Sequence, residues 1–167
     1  MSISHSRFAA CLLLVSVYAC SPRQTVERGA PELKPASAEI PATAPIPSQI
    51  VWAKDWTSAK AQAAASKKPI MLDFYTSWCG WCKVLDQKTF PDARVVRTAQ
   101  QVIAVKINGE TPEGAALVKT YGIRGFPAII FTDPAGGAIG VLSGYYPPEE
   151  FAPQMQQIID QHKNSKG

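Results

Sequence analysis

From residue 50 onward the pattern of apolar and polar positions changes period several times, and each change predicts an element. Ile50-Val51-Trp52 is a short strand candidate, and Asp55 or Thr57 can cap a helix through the Ala-rich run to Ala65. Pro69 to Tyr75 is a near-continuous apolar run of strand length, as expected for a central strand buried on both faces. A helix follows from about Gly80, and a second helical piece starts near Asp92, after Phe90-Pro91. Val102 to Ile107 reads as another strand. Thr111-Pro112-Glu113 then puts a capping hydroxyl, a first-turn proline and an acid together, a good helix start. Ala128 to Thr132 and Ala138 to Leu142 are strands joined by the turn-forming Asp133-Pro134-Ala135-Gly136-Gly137. Phe151, Met155, Ile158 and Ile159 make an apolar helical stripe. Pro153 interrupts it, so this last helix is either kinked or starts later. The order β-α-β-α-β-α-β-β-α predicts a mixed α/β sandwich.

The first 49 residues have a different texture. His5 and Arg7 form a short polar start, followed by about twelve mostly apolar residues from Phe8 to Ala19, fewer than the roughly twenty that span a bilayer. Residues 1–20 therefore read as an export signal. Its end, Val17-Tyr18-Ala19-Cys20, resembles the lipobox of bacterial lipoproteins, whose cysteine is acylated, although Tyr18 is bulkier than that motif usually carries. The alternatives are a plain secretory signal or an uncleaved short anchor. Ser21, by the sorting rule of enteric bacteria, favours the outer membrane. Residues 21–49 hold six prolines and no apolar periodicity, so they cannot bury enough surface to offset the entropy of ordering. They read as a tether reaching on the order of 90 Å if polyproline-like and about 30 Å as a coil. Residues 50–167 form the folded domain.

Composition narrows the function. The 167-residue chain is 46% hydrophobic and carries a formal net charge of +4, with Lys67-Lys68 the only adjacent basic pair. A nucleic-acid reader would need a dense basic stripe, which the chain lacks. Of four cysteines, Cys11 and Cys20 lie in the N-terminal apolar segment, leaving Cys79 and Cys82 for the domain. His5 and His162 lie outside its predicted elements, which argues against a His-rich metal site and against a Cys–His catalytic pair.

The chemistry therefore concentrates in Trp78-Cys79-Gly80-Trp81-Cys82-Lys83, where the buried strand hands over to a helix. A thiol at a helix N-terminus faces unpaired N–H groups and the positive end of the dipole, both of which favour a thiolate. Three residues on, Cys82 returns to the same face, within reach of a disulfide. Lys83 adds positive charge. Cys79, at the exposed end, is expected to attack, and Cys82 to resolve the mixed disulfide. A zinc site would need two further ligands that the domain does not offer. A structural disulfide, or a Cu(I) site on the two thiolates, stays open.

Asp73-Phe74-Tyr75-Thr76-Ser77-Trp78-Cys79-Gly80-Trp81-Cys82-Lys83 resembles the active-site strand and loop of thioredoxins, and Tyr121-Gly122-Ile123-Arg124-Gly125-Phe126-Pro127 resembles the segment ending in their cis-proline. The likeness covers about residues 50–160. Lys68-Pro69-Ile70-Met71-Leu72-Asp73 and Thr89-Phe90-Pro91-Asp92 look closest to the C-terminal thioredoxin domain of DsbD-type membrane thiol reductases. The resemblance implies a thioredoxin fold, a monomer, no cofactor, and dithiol–disulfide exchange outside the cytoplasm. Its partners would be disulfide-containing envelope proteins, with a membrane thiol reductase as electron donor. An oxidase or isomerase is the alternative within that chemistry, and a tethered binding module or Cu(I) carrier the alternative outside it.

Residue roles carry over by position. Asp73 matches the buried acid that takes a proton from the resolving cysteine, and burying a carboxylate in an apolar run is costly enough to suggest a working site; an acid at a strand end facing water is the other reading. Pro127 matches the cis-proline beside the cysteines, where pattern alone would predict trans. Lys106 aligns with a lysine neighbouring the buried acid, or is a solvated strand-end residue. Trp81 stands where thioredoxins have proline, so their potential does not transfer. Phe126 replaces an aliphatic residue and would narrow or reshape the substrate groove around Gly80 and Pro127. Trp78 and Trp81 either rim that groove or pack ordinarily.

Overall fold

The computed structural model describes residues 47–165, so the signal segment, Cys20 and most of the tether lie outside the described residues. Ten elements follow in order: β1 (Trp52–Ala53), α1 (Trp56–Ser66), β2 (Ile70–Tyr75), α2 (Gly80–Val84), α3 (Ala93–Ala99), β3 (Ile103–Asn108), α4 (Pro112–Thr120), β4 (Ala128–Thr132), β5 (Ala138–Ser143) and α5 (Pro148–Asn164). A wider π-helical turn, Leu85–Thr89, extends α2 toward α3.

Short-range chemistry starts three helices as expected. Side chains of Asp55, Asp92 and Thr111 each accept a backbone N–H from the first turn of α1, α3 and α4. Two expectations need correction. The strand near residue 50 pairs only through Trp52 and Ala53, because Ile50 turns into the core instead of joining the ladder. The last helix begins at Pro148 and runs through Pro153, so a later start is excluded.

The sheet has the order β1-β3-β2-β4-β5, with β1, β3 and β2 parallel and β4 and β5 antiparallel. Because side chains alternate along a strand, β2 feeds two cores. Ile70, Leu72 and Phe74 pack with α1 under one face. Met71 packs on the other face with Leu85, Val95, Phe151 and Met155 from the α2 extension, α3 and α5. Asp73 shares that second face. No helix among the described residues is long and apolar enough to cross a membrane.

Candidate active site

At the end of β2 the chain makes a turn, closed by the Cys79 N–H donating to the Thr76 carbonyl at 3.2 Å, and enters α2. Cys79 is the N-cap of α2, and its Sγ accepts the Cys82 N–H at 3.1 Å. The two cysteines are joined in a disulfide with Cα atoms 5.3 Å apart. The helix N-terminus thus directs a backbone donor at the Cys79 sulfur, which favours negative charge there in the reduced form. One expectation is corrected: Cys79 is not at an exposed end, since it and Cys82 are 4% and 5% exposed. The exposed groups are the flanking indoles, Trp78 at 70% and Trp81 at 60%.

Each indole meets a second ring from a loop beside Pro127. Trp78 contacts Phe126 edge to face, with centroids 6.0 Å apart, and Trp81 stacks on Tyr145 at 5.2 Å. The Phe126–Pro127 peptide is cis, and the Gly144 N–H donates to the Pro127 carbonyl at 2.9 Å, fastening the loop that bears Tyr145. A groove of about 410 Å³ starts at Pro127 and continues past Ile123, Val141 and Ser143. Phe126 lines this groove, and its ring end is seated where Gly109 has no side chain.

Within β2, Asp73 sits mid-strand, 1% exposed, which excludes a water-facing strand end. Parallel pairing puts Lys106 of β3 directly opposite. The Lys106 ammonium donates to Asp73 Oδ2 at 2.7 Å and also to Asp86 Oδ1 in the α2 extension, so it is no solvated lysine. It lies 4.8 Å from the Trp52 ring centroid and 5.2 Å from that of Phe90, so cation–π attraction adds to the ion pairs. Asp73 Oδ1 has no hydrogen-bond partner. Burial pushes the Asp73 carboxyl above its ordinary pKa, and Lys106 offsets this only in part. Burial acts on Lys106 in the opposite sense, but Asp73 and Asp86 outweigh it and hold the ammonium above its ordinary value. Among the described residues no group of three or more His, Cys, Asp or Glu is placed to hold a metal.

The sequence reading missed Asp86, Glu110 and Tyr145. Asp86 was findable, four residues after Cys82 and thus on the same helical face. Glu110 follows the carboxyl end of a parallel strand, where sites in such sheets gather. Tyr145 carried no comparable signal.

Comparison with known proteins places these features in a family. A family model described as a thioredoxin-like domain matches residues 56–159. The chain is 33% identical over 100 residues to the thiol:disulfide interchange protein DsbD of Ralstonia nicotianae, covering 58% of this chain and 16% of that protein. For DsbD of Yersinia enterocolitica the identity is 32% over 102 residues, covering 59% and 18%. The chain therefore spans about a sixth of the length of these curated relatives. Among solved structures, a thioredoxin from Thermus thermophilus superposes with a TM-score of 0.60 at 26% identity, covering 66% of this chain and 87% of that one. The reduced C-terminal domain of Neisseria meningitidis DsbD gives 0.54 at 25%, covering 59% and 89%.

Proposed function

The chain belongs to the thioredoxin-like domain family, and from that premise we propose that it is a protein dithiol–disulfide oxidoreductase of the bacterial envelope, working as a reductant or electron relay. The observation that carries the reading is the Cys79–Cys82 pair at the N-terminus of α2, with Cys79 Sγ already accepting a helix N–H.

In the reduced protein the Cys79 thiolate attacks one sulfur of a substrate disulfide. A Cys79–substrate bond forms, the substrate S–S bond breaks, and one substrate thiolate leaves. Cys82 then gives its proton to Asp73 and attacks Cys79 Sγ, which releases the second substrate thiolate. Two electrons pass to the substrate, and the protein ends as the disulfide. Asp73 suits the proton step because its raised pKa brings it closer to a thiol's, and accepting a proton relieves a buried charge. Trp78, Trp81, Phe126, Gly80 and Pro127 bound the docking surface, where exposed aromatics favour contact with a polypeptide.

The direction of flow rests on the likeness to DsbD, as does the assignment of a membrane thiol reductase as donor and disulfide-containing envelope proteins as acceptors. The signal-like residues 1–20 and Cys20 support export and lipid anchoring, with Ser21 favouring the outer membrane. Trapping tests the activity. Cys82→Ser should accumulate mixed disulfides on Cys79 that dithiothreitol releases, seen as mass-shifted adducts, and Cys79→Ser should accumulate none. Absence of adducts, with full activity in the double cysteine variant, would exclude disulfide exchange.

A further inference from the structure

Two donors of the redox turn, both from Ser77, converge on one carboxylate that no part of the exchange mechanism uses. The Ser77 N–H donates to Glu110 Oε2 at 2.6 Å and the Ser77 hydroxyl to Oε1 at 3.2 Å, so the residue just before Trp78 is held twice. Glu110 is exposed, and these bonds hold its carboxyl below the usual glutamate value.

The loop that carries Glu110 is itself fixed. Its N–H donates to Asn108 Oδ1 at 2.9 Å, and the Gly109 N–H donates to the Tyr75 carbonyl at 2.8 Å. Gly114 in the first turn of α4 lies so close to the Asn108 carbonyl that a Cβ there would collide with its oxygen. The same loop seats the second ring of the rim, because a Cβ on Gly109 would stand 2.7 Å from Phe126 Cζ. Residues 108–110 therefore seat Phe126 directly and hold Trp78, its edge-to-face neighbour, through the adjoining Ser77. The contacts that set the sulfurs, Cys79 N–H to Thr76 and Cys82 N–H to Cys79 Sγ, do not involve this loop.

We propose that loop 108–110 is a positioning device for substrate docking, in which Glu110 holds the Ser77–Trp78 turn and Gly109 admits the Phe126 ring, so that both rings stand ready beside Pro127 for a polypeptide disulfide. The inference rests on the disulfide-exchange reading above. Since the loop supports the rim and not the sulfurs, it acts on the binding of a protein substrate and leaves the chemical step alone.

The experiment follows insulin disulfide reduction, with dithiothreitol as donor, alongside direct reaction of the reduced chain with the small disulfide 5,5′-dithiobis(2-nitrobenzoate). Glu110→Ala should raise KM for insulin about fivefold, the factor that one ordinary hydrogen bond contributes. Its kcat and its rate with the small disulfide should stay within about twofold, the signature of lost uniform binding. Glu110→Gln keeps an acceptor oxygen and should recover most of the KM. Gly109→Ala should raise KM in the same direction by displacing Phe126. Tryptophan emission should change in Glu110→Ala but not when the same substitution is made on a Trp78→Phe background. Unchanged KM and emission in Glu110→Ala would overturn the proposal. So would an equal loss on insulin and on the small disulfide. If Glu110→Ala does not fold, Gly109→Ala must raise the KM for insulin while its rate with the small disulfide stays within about twofold, or the proposal falls. A wild-type chain that reduces neither substrate defeats the disulfide-exchange reading instead, while the emission comparison still decides whether Glu110 holds Trp78.

Discussion

Asp73 occupies a position where ionisation is disfavoured, with one carboxylate oxygen unpartnered and the other bound to Lys106. Its folded-state pKa lies above the ordinary value, chiefly through burial. Below the ordinary value both folded and unfolded chains hold the proton. Between the ordinary and the raised value only the folded chain does, so stability falls as pH rises through that window and levels off above it. Asp73→Asn should abolish this slope. It should stabilise the protein by about 1–3 kcal/mol near pH 8 and by little near pH 3, as urea unfolding at the two pH values would show. Lys106 keeps Asp86 as partner, so the substitution does not strand a cation. On the mechanism proposed above, the same variant has no carboxylate to take the Cys82 proton, and the resolving step should slow at least about tenfold. A variant that is less stable at pH 8 would mean that Lys106 depends on Asp73 more than on Asp86.

At the scale of elements, α4 shows how a local rule is reversed by packing. Propensity alone makes Gly114→Ala favourable by about 1 kcal/mol, because glycine is a poor helix former. In the fold, α4 enters directly against the end of β3, and the added methyl would collide with backbone that has no rotamer to yield. Gly114→Ala should therefore destabilise by about 2 kcal/mol or more, read from the urea midpoint. A neutral or stabilising result would show that α4 can slide off β3. Loop 108–110 would then be less firmly seated than its contacts indicate.

For the whole molecule, the two buried clusters draw on residues from Ile50 to Ile159. A chain starting at residue 47 should accordingly fold by itself, with the same urea midpoint as the full chain. Failure to do so would make residues before 47 part of the core and remove the tether reading. On that fragment the reduction potential, equilibrated against thiol buffers and read by tryptophan fluorescence, decides direction. A value near thioredoxin's, about −270 mV, supports a reductant fed by a membrane partner. A value near about −120 mV would make the protein an oxidant, its reduced form unusually stabilised.

The sequence by itself determined what depends on neighbours along the chain. The caps at Asp55, Asp92 and Thr111, the buried run of β2 and the Cys79–Cys82 spacing all involve residues a few positions apart, and each left a pattern in the order of residues. The likeness to thioredoxins added Asp73 and the cis peptide at Pro127, which no local propensity encodes. Tertiary structure decided the rest through one number. Strands β2 and β3 pair in parallel with an offset of 33 residues, and Asp73–Lys106 and Ser77–Glu110 both repeat it. That offset is set by how α3 and its flanking turns return the chain to the sheet, a global property with no short-range signature. The burial of Cys79 between exposed indoles, the sharing of Lys106 by two acids and the grip of Glu110 on the redox turn all follow from surfaces meeting after folding. They were therefore not legible residue by residue.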